Sequence, residues 1–331
     1  MPVNHGDSGA KWWVRAVLWL NDLHRRMLGV WFSILGPRVA YAVTGLLARL
    51  LYRLLTPLRQ LSEAQCAAAL AGLIPASAVT RVAERAFVHR VWDLTDLVLA
   101  DRLLHAGTYE RYGGLVPEPH LARMLALQRR GQPVILLSSY YGPFDLLPVF
   151  LGFNGIRAAA VYRRHANAAF DAYRRRIRAR GGCELVEVER GADRLAAALQ
   201  AGGSIALVAD HYADRRGMEA TFLGLPTRVM RSVGLFAWRY EADVVVAGIR
   251  RLGTFQFEII VEDVIDHTDW RDEEDSVAYI TNRYLRGLER IIVRDPTQYL
   301  WAHTRWGHEA ALRALRASGP VPGAAAGNAG K

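Results

Sequence analysis

The sequence predicts an α/β protein with a mostly parallel central sheet flanked by helices and an apolar, basic helical arm in front of it. Three observations carry this. Apolar residues make up 51% of the 331 positions, ample for a buried core. Five short runs between residues 133 and 252 are almost continuously apolar, as strands buried on both faces are. Helical patterns separate these runs, and parallel strands need such crossovers.

The arm comes first, over residues 1–60. It holds Trp12, Trp13, Trp19 and Trp31, then a leucine-rich run to Leu55. Its eight basic residues (Lys11, Arg15, Arg25, Arg26, Arg38, Arg49, Arg53, Arg59) face only Asp7 and Asp22. Between Met27 and Ala48 the one charge is Arg38, beside Pro37. A spanning helix needs roughly 20 apolar residues, and a central arginine costs a few kcal/mol there. An interfacial helix, or two short helices broken at Gly36-Pro37, therefore fits better than one span. A buried helical hairpin over the core is the other reading of the arm.

The α/β domain is placed at residues 61–317. PVILLSS (133–139), RAAAVYRR (157–164), CELVEVE (183–189), SIALVAD (204–210) and ADVVVAGIRRL (242–252) read as strands. TFQFEIIVEDV (254–264) alternates and pairs antiparallel with its predecessor through a turn at Leu252-Gly253. Helices are expected over 118–130, 166–180, 192–201, 230–240 and about 273–293. The Gly/Ala/Pro-rich residues 318–331 read as a disordered tail.

Charge narrows the function. The formal net charge is +10, from 42 basic and 32 acidic residues, of which only Lys11 and Lys331 are lysine. Arginine suits planar phosphate and carboxylate recognition. Residues 157–180 carry eight arginines against Asp171, whereas residues 258–275 carry nine acids and one arginine. No RNA-binding aromatic signature or helix-turn-helix pattern accompanies the basic excess, so nucleic acid is not expected as a partner. Two cysteines, Cys66 and Cys183, make no disulfide framework, and the histidines show no metal-ligand spacing.

Ligands of such sheets bind outside the carboxyl ends of the strands. Those ends deliver Ser138-Ser139-Tyr140-Tyr141, Tyr162-Arg163-Arg164-His165 and Asp210-His211-Tyr212 to one edge. Ser139 and Asp210 are candidate substrate contacts there. A serine nucleophile is not indicated, because no Gly-x-Ser-x-Gly elbow surrounds Ser138 or Ser139.

The segment VILLSSYYGPFDLLPVFLGFNG resembles the strand-loop-helix core of the late acyltransferases of lipid A biosynthesis. That family opens its helix with a histidine and an acid separated by four residues, where this chain reads Tyr140-Tyr141-Gly142-Pro143-Phe144-Asp145. VYRRHANAAFDAYRRRIRARGG, SIALVADHYADRRGMEATFLGLPTRV and DPTQYLWAHTRW are similar to later family segments, in order. The resemblance implies a membrane-associated enzyme at the cytoplasmic face of a bacterial inner membrane. It implies transfer of a fatty acyl group from acyl carrier protein or acyl-CoA to a lipid or glycolipid acceptor, with no cofactor beyond that thioester. Phe222 and Gly224 would then shape an acyl groove. Arg163 and Arg164 would hold the acceptor's phosphate or the carrier's phosphopantetheine.

In that chemistry a histidine takes the acceptor's proton, a carboxylate orients the ring, and backbone amides stabilise the oxyanion. Gly142 allows close backbone approach, and Pro143 suits a first helical turn. Here the histidine position holds Tyr140, and a phenol titrates roughly 3 to 4 units above an imidazole. Asp145 remains as the acid. The base is then His211, or His165, from elsewhere on the edge. Otherwise Tyr140 is itself an acid or donor in altered chemistry, or the chain binds lipid or acyl carrier protein without turnover.

Overall fold

The computed structural model describes residues 34–213 and 217–307. The arm's tryptophans and the 318–331 tail lie outside the described residues. A six-stranded sheet runs in the order β3-β2-β4-β1-β7-β8. β1 (Val134–Ser138) is buried along its whole length and pairs parallel with β4 (Ser204–Val208) and β7 (Asp243–Gly253). β2 (Ala159–Tyr162) extends the parallel set from β4 to β3 (Glu184–Glu187). β8 (Gln256–Ile265) returns antiparallel along β7. Gly253 pairs with Gln256 across the turn, so the expected hairpin turns at Thr254-Phe255, two residues later than the Leu252-Gly253 step.

Alternating residues of β1 feed two cores. Ile135 and Leu137 face the side covered by α2 (Thr56–Ala69), α7 (Ala192–Gln200), α8 (Ser232–Tyr240) and α9 (Ser276–Arg294). Val134 and Leu136 face α4 (His120–Arg129), α5 (Leu147–Phe153) and α6 (Ala168–Arg178). The expected helices at 118–130, 166–180, 192–201, 230–240 and 273–293 are these α4, α6, α7, α8 and α9, with every end within three residues of the expected one.

Besides α2, three elements were not expected. α3 (Val79–Leu103) is a 25-residue helix that gives residues to both cores. Its buried face includes His89, Asp93, Thr95 and Asp96, which interrupt the apolar period that would reveal it. β5 (Met218–Phe222) and β6 (Leu225–Val229) form a separate antiparallel hairpin. Its alternation is weak, and Pro226 argues against a strand.

The described part of the arm is α1 (Ile34–Leu54). Gly36 takes φ +78° in its first turn, the point where Gly36-Pro37 was expected to interrupt a helix. α1 lies along α3: the Tyr41 and Trp92 rings are 5.2 Å apart, and those of Tyr52 and Phe87 5.6 Å. The Trp92 indole donates to the Tyr41 carbonyl at 3.0 Å. Ala40, Tyr41, Thr44, Ala48 and Tyr52 form the buried face.

Beneath this contact lies a charged network. Arg251 of β7, 1% exposed at its side chain, donates to Asp96 and to Asp93 at 2.7 Å. It also donates to the His89 Nδ1 at 2.7 Å. The Tyr41 hydroxyl donates to Asp96 and accepts from the Phe255 amide at 3.1 Å. One set of buried polar groups thus joins α1, α3 and the β7-β8 hairpin.

Candidate active site

After Ser138 the chain turns through Ser139, Tyr140, Tyr141 and Gly142. Gly142 takes φ +55°, and a Cβ there would stand 1.9 Å from the Ile249 carbonyl oxygen. Only glycine fits both conditions. The segment after α9 lies against this turn as a short antiparallel partner. Gly142 N–H donates to the Gln298 carbonyl at 2.9 Å, and Leu300 N–H to the Tyr140 carbonyl at 3.0 Å. The helix that follows is approached through a 3-10 turn, Phe144–Leu146, so Pro143 precedes the first α-helical turn of α5 rather than opening it.

The turn sets Tyr140 at the carboxyl edge of β1. Its hydroxyl lies 2.7 Å from the His211 Nε2, which projects from the end of β4. The His211 Nδ1 is 3.1 Å from the Val208 carbonyl. A carbonyl only accepts, so Nδ1 carries a ring proton, and in the neutral imidazole Nε2 presents a lone pair. Tyr140 is then the donor. Burial, then the nearby charge of Asp210, raises the Tyr140 phenol above its ordinary value, which keeps it protonated.

Asp210 is fully buried. Both its oxygens accept from the Tyr140 amide at 3.3 Å, and one accepts from the Tyr299 hydroxyl at 2.9 Å. Its place is therefore underneath Tyr140, holding the turn rather than facing a ligand. His303 completes the cluster: its ring centroid is 5.3 Å from Tyr140 and 6.0 Å from His211. Burial, above all, lowers its pKa, and its Nδ1 is buried with no partner among the described residues. Gln65 holds the segment by donating to the Trp301 and His303 carbonyls at 2.6 and 2.9 Å. On the open side Arg90, Phe144 and Leu300 line a shallow cleft with Tyr140.

Asp145 does something other than orient Tyr140. Arg174 donates to its two oxygens at 3.0 and 2.9 Å, and Arg178 makes a second, short contact. Burial pulls the Arg178 guanidinium down to about 10, which still leaves it charged beside Asp145 at neutral pH. The acid of the motif is thus neutralised by α6. Two amides of the turn are also occupied: Tyr140 N–H goes to Asp210 and Gly142 N–H to Gln298.

The other expected residues are dispersed. Ser139 is buried below the turn. Arg163 and Arg164 are exposed on the loop after β2. His165 is occupied locally, its Nδ1 accepting from the Asn167 amide at 3.0 Å and its ring against Phe170. Phe222 is fully buried among the described residues, with the Arg305 guanidinium 4.4 Å from its ring centroid and Trp306 behind. Gly224 is exposed at the β5-β6 tip with φ +73°. At the opposite end of the sheet Asp243, Asp266 and His267 bring ligand atoms within 4.8 Å of one another. Asp243 there already accepts from His267 and pairs with Arg123.

Neither His303 nor Arg90 was among the residues expected at the site. His303 sits in a motif that the resemblance covers, whereas Arg90 lies on a helix with no signal.

Residues 120–308 match the family described as bacterial lipid A biosynthesis acyltransferase. The chain belongs to that family. The match spans more than half of the sequence and contains Tyr140, Asp145, His211 and His303. Membership makes this an acyltransferase-family fold that acts on lipid. No curated protein matches the chain.

Proposed function

We propose that this chain transfers a fatty acyl group from an acyl carrier protein or CoA thioester to a hydroxyl of a membrane lipid, using His211 as base through Tyr140. The observation that carries this is the 2.7 Å contact of the Tyr140 hydroxyl with the lone pair of His211 Nε2. By the resemblance Tyr140 stands where the family has its histidine, and His211 at the end of β4 supplies an imidazole against its hydroxyl. An acceptor hydroxyl in the cleft gives its proton to the Tyr140 oxygen as Tyr140 passes its own to His211. The acceptor oxygen bonds to the thioester carbonyl carbon, and the carbon–sulfur bond breaks. The leaving thiolate takes the proton back along the same path. No phenolate is formed, in keeping with the raised pKa of Tyr140.

Full-length protein, radiolabelled acyl carrier protein or acyl-CoA and a bacterial lipid extract test the proposal. Turnover is expected, falling by about 10²–10⁴ in His211→Gln, the share a positioned base supplies. Undiminished turnover in that variant removes His211 from the chemistry. A second reading, lipid or carrier binding without turnover, is favoured by the sequestered Asp145 carboxylate and the occupied amides of Tyr140 and Gly142. Absence of product with every donor, together with retained lipid binding, selects it.

A further inference from the structure

α1 has three faces. Tyr41, Thr44, Ala48 and Tyr52 are buried against α3. Val39, Val43, Leu46, Leu50 and Leu54 form an exposed apolar stripe, Leu46 and Leu54 each 68% exposed. Arg38, Ala42, Gly45 and Arg49 form the third stripe, roughly a third of a turn from the apolar one. The small residues between the two arginines leave space above Trp92, whose ring a Cβ on Gly45 would meet at 3.1 Å.

That third stripe walls a cleft of about 480 Å³, closed on its other sides by Arg85, His89 and Trp92 of α3, Arg251 of β7 and the segment with Asp295 and Gln298. The volume is that of a small-ligand site. Arg251 is already satisfied by Asp93 and Asp96. Arg38, Arg49 and Arg85 have no acid partner among the described residues, and Asp295 is the one acid in the lining. The arginines of α6 behave differently. Arg174 and Arg178 share Asp145, and Arg176 and Arg180 share Asp101. Half of the eight arginines that the sequence concentrates at residues 157–180 are thus held in ion pairs, whereas the three at this cleft have no acid partner among the described residues.

We infer that this cleft binds the phosphate of an anionic membrane lipid, with the Arg38, Arg49 and Arg85 guanidiniums as its ligands and the adjoining apolar stripe of α1 laid in the acyl region. Guanidinium forks match phosphate oxygens, and a helix with adjacent apolar and basic faces lies at the level of the headgroups. The packing of α1 on α3 holds it parallel to the protein surface, the attitude this needs. Gln298 lines both this cleft and the one at Tyr140, so the bound headgroup lies next to the reacting edge. The three arginines precede the residues that match the family. Binding here does not require turnover and stands or falls separately from the acyl-transfer proposal.

The test is co-sedimentation of the full-length chain with phosphatidylcholine vesicles, with or without phosphatidic acid, and no thioester present. The unmodified chain is expected to prefer the vesicles with phosphatidic acid. A triple variant, Arg38→Gln with Arg49→Gln and Arg85→Gln, is expected to bind them roughly 100-fold more weakly, the loss for three basic groups at an anionic surface, with binding to neutral vesicles unchanged. A control variant, Arg129→Gln with Arg130→Gln and Arg271→Gln, removes three exposed arginines from the opposite end of the sheet and is expected to keep the preference. Equal losses in both variants would reduce the effect to overall charge and overturn the site. Retained preference in the first variant overturns it as well. Calorimetry with inorganic phosphate separates the sources: saturable binding of free phosphate, lost in the first variant without any vesicle preference in the unmodified chain, would refute a lipid ligand.

Discussion

Tyr140 holds its proton because burial and the carboxylate of Asp210 both oppose a phenolate. The role assigned to it therefore differs from that of a histidine: it carries a proton between two partners and stores none. Activity should accordingly show no alkaline loss from phenol ionisation below about pH 10, the ordinary value for tyrosine. Tyr140→Phe removes the carrier, and kcat is expected to fall at least 100-fold with KM little changed. Stopped assays from pH 6 to 10 on both proteins check this. An alkaline inflection well below pH 10, present in the unmodified chain and absent from Tyr140→Phe, would show that the phenolate takes part after all. Asp145, in contrast, contributes through α6: removing it would leave the buried Arg178 without its counter-charge, so loss of activity in an Asp145 variant would not by itself mark a catalytic acid.

At the scale of elements, the β1 turn depends on two backbones that almost touch. Gly142 brings the chain to within a Cβ's exclusion distance of Ile249, and Gln298 then ties it from the far side. Gly142→Ala is expected to lower stability by about 1–3 kcal/mol through left-handed strain and the clash, with turnover reduced further because Tyr140 moves with the turn. A thermal melt matching that of the unmodified chain would disprove the close approach. The sheet strands were legible because β1, β4 and β7 are near-continuous apolar runs and β8 alternates, and the edge rule then brought Tyr140 and His211 together before any coordinates. α3 was not legible, since its core face carries His89, Asp93 and Asp96 where a periodic apolar residue would signal a helix. The pairing of Asp145 with Arg174 and Arg178 was equally hidden. In sequence those arginines belong to a basic run in which nothing marks Asp145 as their partner, and only the packing of α6 beside α5 brings them to the acid.

At the scale of the whole molecule, α1 is joined to the α/β core by the network of Arg251, Asp93, Asp96, Tyr41 and His89, and this network titrates. Burial first, then the charges of Arg251 and Arg85, lowers His89 to about 3, against an ordinary value near 6.5. Below that ordinary value the unfolded chain takes up a proton that the native chain refuses, so the contribution of His89 is intact above about pH 6.5 and is lost as the pH falls toward 3. At pH 4 the difference amounts to about 3 kcal/mol. Burial raises Asp93, on the same helix, to about 6. Its effect has the opposite sign, because between roughly pH 4 and 6 the native chain holds the extra proton. Comparison with His89→Gln cancels the Asp93 contribution, and the glutamine oxygen still accepts from Arg251. Urea unfolding of both proteins at pH 7 and pH 4 is expected to show the unmodified chain losing about 3 kcal/mol more on acidification than His89→Gln. Equal losses would mean that His89 takes up its proton in the native state as readily as in the unfolded one. The contact that seats α1 on the core would then be open to water rather than closed around a neutral imidazole.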